Sequence, residues 1–202
     1  MEEKRRKPIP FVISGVKNSG KTTMVTKLIP LLAAKGLKVA TVKHDGHDFD
    51  ADVPGTDSYR HFQAGALGTA IYSGSKFSVV KRQEGLNESD MAAFFPEADL
   101  ILYEGFKWTD YPKIELVRAG NSERPVCDPA TVLALATDLP SLKGAGQLRP
   151  ERPKAPTGEA SEGRKDSKPP RIPVYDLNDA EGLAEVIYRY YRSFYAEEVD
   201  KA

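Results

Sequence analysis

The chain has 202 residues, of which 29 are basic and 29 acidic, so its formal net charge is zero at pH 7. A balanced charge provides no overall field that would draw the protein to nucleic acid or to an anionic membrane, and we expect neither as a partner. The single cysteine, Cys127, excludes an internal disulfide framework and suits a reducing compartment, so a cytoplasmic location is expected. The basic start is followed by no apolar run long enough for a signal peptide or a membrane span. The length favours one domain.

The first elements predict a strand, a helix and a second strand. Residues 11–13 form a short apolar run of strand type, and apolar residues recur at helical spacing from Lys21 onwards. The helix is expected to end near Gly36 and to be bent or divided at Pro30. Residues 39–42 predict a second strand, parallel to the first because a helix connects the two.

A glycine-rich segment lies at the junction between the first strand and the helix. Its glycines allow backbone N–H groups to turn inward around phosphate oxygens, and the helix N-terminus adds its dipole. In this pattern Lys21 reaches the β- and γ-phosphates, and the Thr22 hydroxyl is a ligand for Mg²⁺. The alternative is a turn that caps the helix and carries Lys21 as a surface charge. The predicted phosphate-binding residues are Gly15, Val16, Lys17, Asn18, Ser19, Gly20, Lys21, Thr22 and Thr23.

The middle of the chain alternates polar loops with short elements. Residues 43–57 form a loop rich in His and Asp, and Thr56 or Asp57 can cap the short helix that follows. Further strands are expected at 68–72, 77–80, 114–117 and 131–136, and another short helix at 90–95.

Carboxylates at two predicted strand ends are candidate ligands. An apolar strand delivers Glu104 into a turn, which makes it the stronger Mg²⁺ ligand, and aspartates near Asp45 are also candidates. The alternative for Glu104 is an ordinary surface carboxylate. Asp138 follows the strand at 131–136 and could accept from the N1–H and 2-amino groups of guanine, although a turn-initiating role is nearly as well supported. Zinc binding through His44 and His47 also stays open.

The last part of the chain changes in composition at residue 141. Residues 141–171 are rich in Pro, Gly and charged residues, which predicts a flexible insert. A short edge-like strand is expected at 172–175. Asn178 is the predicted cap of the final helix, with Glu181 completing a capping box.

Several of these segments together resemble the family of molybdopterin-guanine dinucleotide biosynthesis protein B, MobB. The resemblance extends over nearly the whole chain, although the insert at 141–171 departs from the compact family pattern. It rests on residues 15–23, Lys43-His44-Asp45 with His47, Asp48 and Asp50, residues 54–59, Ala64-Gly65-Ala66, residues 100–107, 134–140 and 176–184.

The resemblance implies a single α/β domain, residues 1–202, with a three-layer P-loop NTPase fold and a mostly parallel sheet flanked by helices. It implies a homodimeric GTP-binding protein with weak hydrolysis. Such a protein assists a guanylyltransferase that attaches GMP to molybdopterin, and molybdopterin itself is a candidate partner. By position, Mg²⁺ would meet Thr22 and Glu104, with Asp45 a further candidate ligand. Lys21 and Glu104 would support hydrolysis, and Asp138 would read the base.

Two other functions share the phosphate-binding loop. A small-molecule kinase should carry arginines on a lid over its acceptor, and arginines are sparse before the insert. A metallochaperone GTPase would bind its metal through His44 and His47.

Overall fold

The computed structural model describes residues 7–45, 49–143 and 171–199 of the chain, with side chains described as far as Phe194. The elements are β1 (Ile9–Ser14), α1 (Lys21–Ala34), β2 (Val39–Lys43), α2 (Asp57–Gln63), β3 (Gly68–Tyr72), β4 (Phe77–Lys81), α3 (Glu88–Ala92), β5 (Leu100–Glu104), β6 (Lys113–Val117), β7 (Val132–Thr137), α4 (Pro140–Lys143), β8 (Val174–Asp176) and α5 (Ala180–Val199).

The main sheet has six strands in the order β2-β5-β1-β6-β7-β8, and every neighbouring pair is parallel. A separate antiparallel sheet pairs β3 with β4. The α/β fold class with a mostly parallel sheet and flanking helices is therefore confirmed.

The chain forms two compact units. One comprises Met1–His44 with Phe94–Ala202 and contains the six-stranded sheet, and the other comprises Asp45–Ala93 and contains the β3–β4 hairpin with α2 and α3. The single domain expected from the chain length stays a prediction, because the compactness of each unit does not show whether it folds by itself.

The central strand β5 is apolar over its first three residues because both faces of the sheet are covered. In β5, Leu100, Ile101 and Leu102 are fully buried. One core cluster joins the sheet to α1 and α5, through residues such as Leu28 and Leu183. The apolar run in the sequence therefore predicted β5 correctly.

Helix α1 is one continuous helix through Pro30 and is not divided into two pieces. It begins after Gly20, whose φ of 97° is left-handed. Gly36, with φ of 88°, follows its C-terminal end, and its N–H donates to the carbonyl of Ala33 at 2.9 Å. The predicted glycine at the helix end is confirmed.

Helix α5 has a different cap from the one predicted. The Oδ1 atom of Asp179 accepts from the backbone N–H of Gly182 at 2.8 Å, so Asp179 caps the helix and the prediction of Asn178 was wrong. With the cap at 179, Gly182 takes the third helical position in place of Glu181, and glycine has no side chain to complete a capping box. Asn178 is thus left outside the helix.

The predicted insert is described only at its start. Helix α4 takes up residues 140–143, and most of the insert, like His47, lies outside the described residues. Beyond it, β8 pairs with β7 at the edge of the sheet, as predicted. None of the described helices is long and apolar enough to cross a membrane.

Candidate nucleotide-binding site

The loop between β1 and α1 has the backbone shape that phosphate binding requires. Gly15, Asn18 and Gly20 have positive φ angles of 139°, 62° and 97°. Backbone turns of this kind point successive N–H groups into one concavity, which favours an anion. A Cβ atom at residue 15 would lie 2.6 Å from the carbonyl oxygen of Leu116, so glycine alone fits there.

The environment of the Ser19 side chain indicates whether this loop fits a phosphate. It is fully buried, and its Oγ atom has no hydrogen-bond partner among the described residues. Leaving a buried hydroxyl without a partner costs on the order of 1–3 kcal/mol. A phosphate oxygen is an acceptor that would satisfy it. The loop therefore fits a ligand that carries phosphate groups.

Lys21 lies among other charged groups at the start of α1. Its Nζ atom donates to the carbonyl of Val16 at 2.7 Å. Burial lowers the pKa of the Lys21 amino group, Glu104 opposes this lowering, and Lys107 and Lys43 add to it. An anionic ligand would relieve the repulsion among the three lysines. Lys43 and Lys107 were not predicted as site residues, although Lys43 is the last residue of β2 and Lys107 belongs to the turn that follows β5.

Thr22 and Glu104 meet directly. The Thr22 hydroxyl donates to Oε1 of Glu104 at 2.7 Å, which joins the start of α1 to the end of β5. Mg²⁺ prefers oxygen ligands of these two kinds. The donor set therefore fits the magnesium ion expected with a nucleoside triphosphate.

A strained turn directly after β5 holds Glu104 in place. Gly105 and Phe106 both have positive φ, at 106° and 34°, and the latter is unusual for a side chain that is not glycine. The N–H of Gly105 donates to the carbonyl of Ile13 at 3.0 Å, which anchors the turn to β1. The ring of Phe106 packs edge-on against Tyr103, with 5.1 Å between the ring centroids.

The described part of the loop rich in His and Asp provides fewer candidate metal ligands than the sequence suggested. The ring of His44 packs edge-on against Phe106, with 5.6 Å between the ring centroids. Asp45 begins the second compact unit, and its role as a metal ligand stays a prediction. No group of three or more His, Cys, Asp or Glu side chains that could hold a metal occurs in the described ranges, which leave out His47.

A buried lysine supports the loop that follows Glu104. Lys113 in β6 is fully buried, and its Nζ donates to the carbonyls of Lys107 and Thr109, at 3.3 and 2.5 Å. These bonds fix the segment that carries Lys107. The sequence prediction missed Lys113 because the strand was expected to begin at residue 114. The alternation of charged and apolar residues over 113–117 was the available signal.

A second buried polar group lies beside the start of the phosphate loop. The backbone N–H groups of Val126 and Cys127 donate to Glu115 at 2.6 and 3.2 Å, and Cys127 Sγ donates to Ser14 Oγ at 3.2 Å. Burial raises the pKa of Glu115, and burial with the nearby Glu115 raises the pKa of Cys127 to about 12. Burial therefore disfavours the thiolate form of Cys127, whose side chain packs behind the last residue of β1.

Asn121 fixes the outer part of the phosphate loop. Its side-chain amide donates to the carbonyl of Lys17 at 2.7 Å. The Lys17 side chain itself is exposed. No sequence pattern pointed to Asn121, because it belongs to an irregular segment after β6 that meets the loop only in the folded chain.

A cleft of about 270 Å³ opens on the side of the phosphate loop away from Glu104. It is lined by residues of α1 and by residues that follow β6, β7 and β8. Asp138 is among them, and its Oδ1 accepts from the backbone N–H of Ala119 at 2.7 Å. The predicted base-reading residue therefore lies in a cleft next to the phosphate loop. Others that line the cleft are Thr23, Lys27, Arg118, Leu177 and Asn178.

Comparisons with known proteins agree with this arrangement. The chain is 39% identical over 180 residues to the molybdopterin-guanine dinucleotide biosynthesis adapter protein of Escherichia coli, covering 85% of this chain and 87% of that one. It is 35% identical over 137 residues to the adapter protein of Haemophilus influenzae, covering 65% and 76%. The crystal structure of Bacillus subtilis MobB has the same fold, with a TM-score of 0.60 at 22% identity over 90% of this chain and 96% of that chain. The family model for molybdopterin guanine dinucleotide synthesis protein B matches residues 11–138. The chain belongs to this family, MobB.

Proposed function

We propose that the protein binds GTP with Mg²⁺ and acts as an accessory protein in the synthesis of the guanine dinucleotide form of the molybdenum cofactor. The observation that carries the proposal is the pair of Thr22 and Glu104 oxygens, 2.7 Å apart beside a glycine loop with an unpartnered buried hydroxyl. The accessory role follows the name of the Escherichia coli relative, a molybdopterin-guanine dinucleotide biosynthesis adapter protein.

The proposed role of each site residue follows from its position in the sheet. Lys21 and the loop N–H groups hold the phosphates, and Lys43 and Lys107 add positive charge on the side of β2 and β5. Thr22 and Glu104 hold Mg²⁺, which neutralises charge on the phosphate oxygens when bound. Asp138 reads the base in the cleft on the side of β6 to β8.

Hydrolysis is proposed to be weak. Lys21 and Glu104 contribute by positioning and by charge. Arg118 lies in the cleft with Asp138, on the side of the loop away from Glu104, where it does not face the metal ligands. Slow turnover suits a protein whose task is to present a nucleotide to another enzyme.

The proposed partner is the guanylyltransferase that attaches GMP to molybdopterin. Co-purification of the two proteins, with and without GTP, tests this. We expect more guanylyltransferase to be retained with GTP, and Lys21→Ala to remove the gain because it removes a phosphate contact. Equal retention by both variants under both conditions would contradict nucleotide-dependent partnership.

The hairpin of the second unit is the proposed interface of a homodimer. Tyr72 pairs with Phe77 and Ala70 with Val79 across β3 and β4, which places all four on one face of the hairpin. Tyr72 is 85% exposed and Phe77 76%. A two-stranded hairpin with an exposed apolar face is only marginally stable in water. The same apolar face of a second copy of the chain could cover it, which would form a symmetric dimer.

A further inference from the structure

Two neighbouring strands deliver polar side chains to the cleft beside the phosphate loop. Thr137 at the end of β7 is in register with Asp176 at the end of β8, and the N–H of Leu177 donates to the carbonyl of Thr137 at 3.1 Å. Parallel strands lie about 4.8 Å apart, so the residues that follow them emerge side by side. These residues include Asp138 and Asn178, and both line the cleft.

The carboxylate of Asp138 is held in one orientation. Its Oδ1 accepts from the N–H of Ala119 at 2.7 Å. A carboxylate is an acceptor and offers no donor, so it matches the N1–H and 2-amino groups of guanine. It does not match the 6-oxo group, which is itself an acceptor and needs a donor beside it.

The amide of Asn178 provides a donor in the same cleft as that carboxylate. Asp176 accepts from the backbone N–H of Asn178 at 2.9 Å, and also from Lys143. The hydrogen bond from Lys143, and after it the one from the Asn178 backbone, lower the pKa of Asp176. The NH₂ group of an asparagine amide has two N–H donors, so one can serve a neighbouring carboxylate while the other serves a ligand. Asn178 is also solvent-exposed and is not the cap of α5, a role that belongs to Asp179.

We propose that Asn178 is a second base-reading residue, whose amide donates to the 6-oxo group of guanine while Asp138 accepts from the opposite part of the same edge. This inference rests on the proposed binding of GTP. A donor beside the 6-position favours guanine over adenine, because adenine carries an amino group there. A site built for one hydrogen-bond pattern rejects a base that leaves its groups unpaired.

Two nucleotide analogues, each altered at one position of the base, test Asn178 and Asp138 separately. We would measure the affinities of GTP, 6-thio-GTP and ITP by calorimetry with Mg²⁺, because 6-thio-GTP weakens the acceptor at position 6 and ITP lacks the 2-amino group. The wild type should prefer GTP to each analogue by about three- to tenfold, as expected for one hydrogen bond. Asn178→Ala should lose the preference over 6-thio-GTP and keep the preference over ITP. Asp138→Ala should lose the preference over ITP and keep the preference over 6-thio-GTP.

Asn178→Asp is a variant of the same volume that replaces the donor by an acceptor. It should bind GTP more weakly than Asn178→Ala does, because its carboxylate repels the 6-oxo group. If Asn178→Ala keeps the full preference over 6-thio-GTP, or if the wild type shows no such preference, the inference is wrong while GTP binding stands. If the wild type does not bind GTP at all, the proposed function and this inference both fail.

Discussion

Gly15 is a residue of the phosphate loop that cannot accept a side chain. Its φ of 139° is strained for any residue with a side chain, and a Cβ atom would meet both the Leu116 carbonyl and the Ser19 Oγ at 2.6 Å. Strain of this kind costs on the order of 1–3 kcal/mol, before the cost of the contact is added. The shape of the loop therefore depends on this one position.

We expect Gly15→Ala to lose measurable GTP binding and to reduce the free energy of unfolding by about 2–4 kcal/mol. Gly36→Ala is a matched control, since Gly36 also has positive φ but has nothing within 4 Å of its Cβ position. The control should lose only about 1 kcal/mol and should bind GTP normally. Urea unfolding and calorimetry measure the two effects, and equal behaviour of the two variants would contradict the account of the loop.

Glu115 should make stability depend on pH in an unusual direction. Burial raises its pKa in the folded state, so the folded chain binds a proton more tightly than the unfolded chain. The contribution to stability is then present below the unfolded pKa of about 4.3 and is lost as the pH rises through the folded pKa.

Urea unfolding of the wild type and Glu115→Gln from pH 4 to pH 7 measures this effect. The wild type should lose stability with rising pH relative to the variant, which cannot titrate at this position. A constant difference between the two proteins over that range would show that the carboxyl has an ordinary pKa.

Some residues of the site could be predicted from the sequence and others could not. Lys21, Thr22 and Glu104 lie in local patterns, a glycine loop and an acid at a strand end, whose spacing follows from phosphate and metal chemistry. Asn121 contacts the loop across 104 positions of sequence, which local periodicity cannot reveal. Lys113 was missed for a different reason, because the strand was expected to begin at residue 114 and charged residues are rarely fully buried.

At the scale of the elements, strands such as β5 were predicted well because a strand that is buried on both faces of a parallel sheet gives a continuous apolar run. Helix ends depend on finer chemistry. Asn178 and Asp179 both suit a cap by residue type, and the hydrogen bond to Gly182 decides in favour of Asp179. The order of the strands in the sheet also could not be read from local sequence, because β5 lies between β1 and β2, which precede it in the chain.

Substitution of the two candidate caps separates their roles. Asp179→Ala should lower the free energy of unfolding by about 1 kcal/mol, because it removes an acceptor from the first turn of α5. Asn178→Ala should leave stability within about 0.5 kcal/mol of the wild type, since it is exposed. Thermal and urea unfolding of both variants provide the comparison. A larger loss for Asn178→Ala would restore it as the cap.

At the scale of the whole molecule, the proposed homodimer depends on the apolar face of the β3–β4 hairpin. Tyr72→Lys combined with Phe77→Lys should convert a dimer into a monomer in analytical ultracentrifugation, because it places charges on the apolar face. Trp108→Lys is the control, since Trp108 is as exposed as Phe77, at 76%, but lies outside the hairpin. A wild type that is monomeric at micromolar concentration, or a dimer that survives the double substitution, would contradict the proposal.

The proposed nucleotide is the claim on which the rest of the function depends. Titration of GTP, GDP and ATP by calorimetry with Mg²⁺ tests it directly, with Lys21→Ala as the control for phosphate binding. We predict that GTP binds at least about tenfold more tightly than ATP, a difference of about 1.4 kcal/mol, and that Lys21→Ala binds neither triphosphate measurably. Binding of ATP as tight as that of GTP would contradict guanine recognition by this cleft.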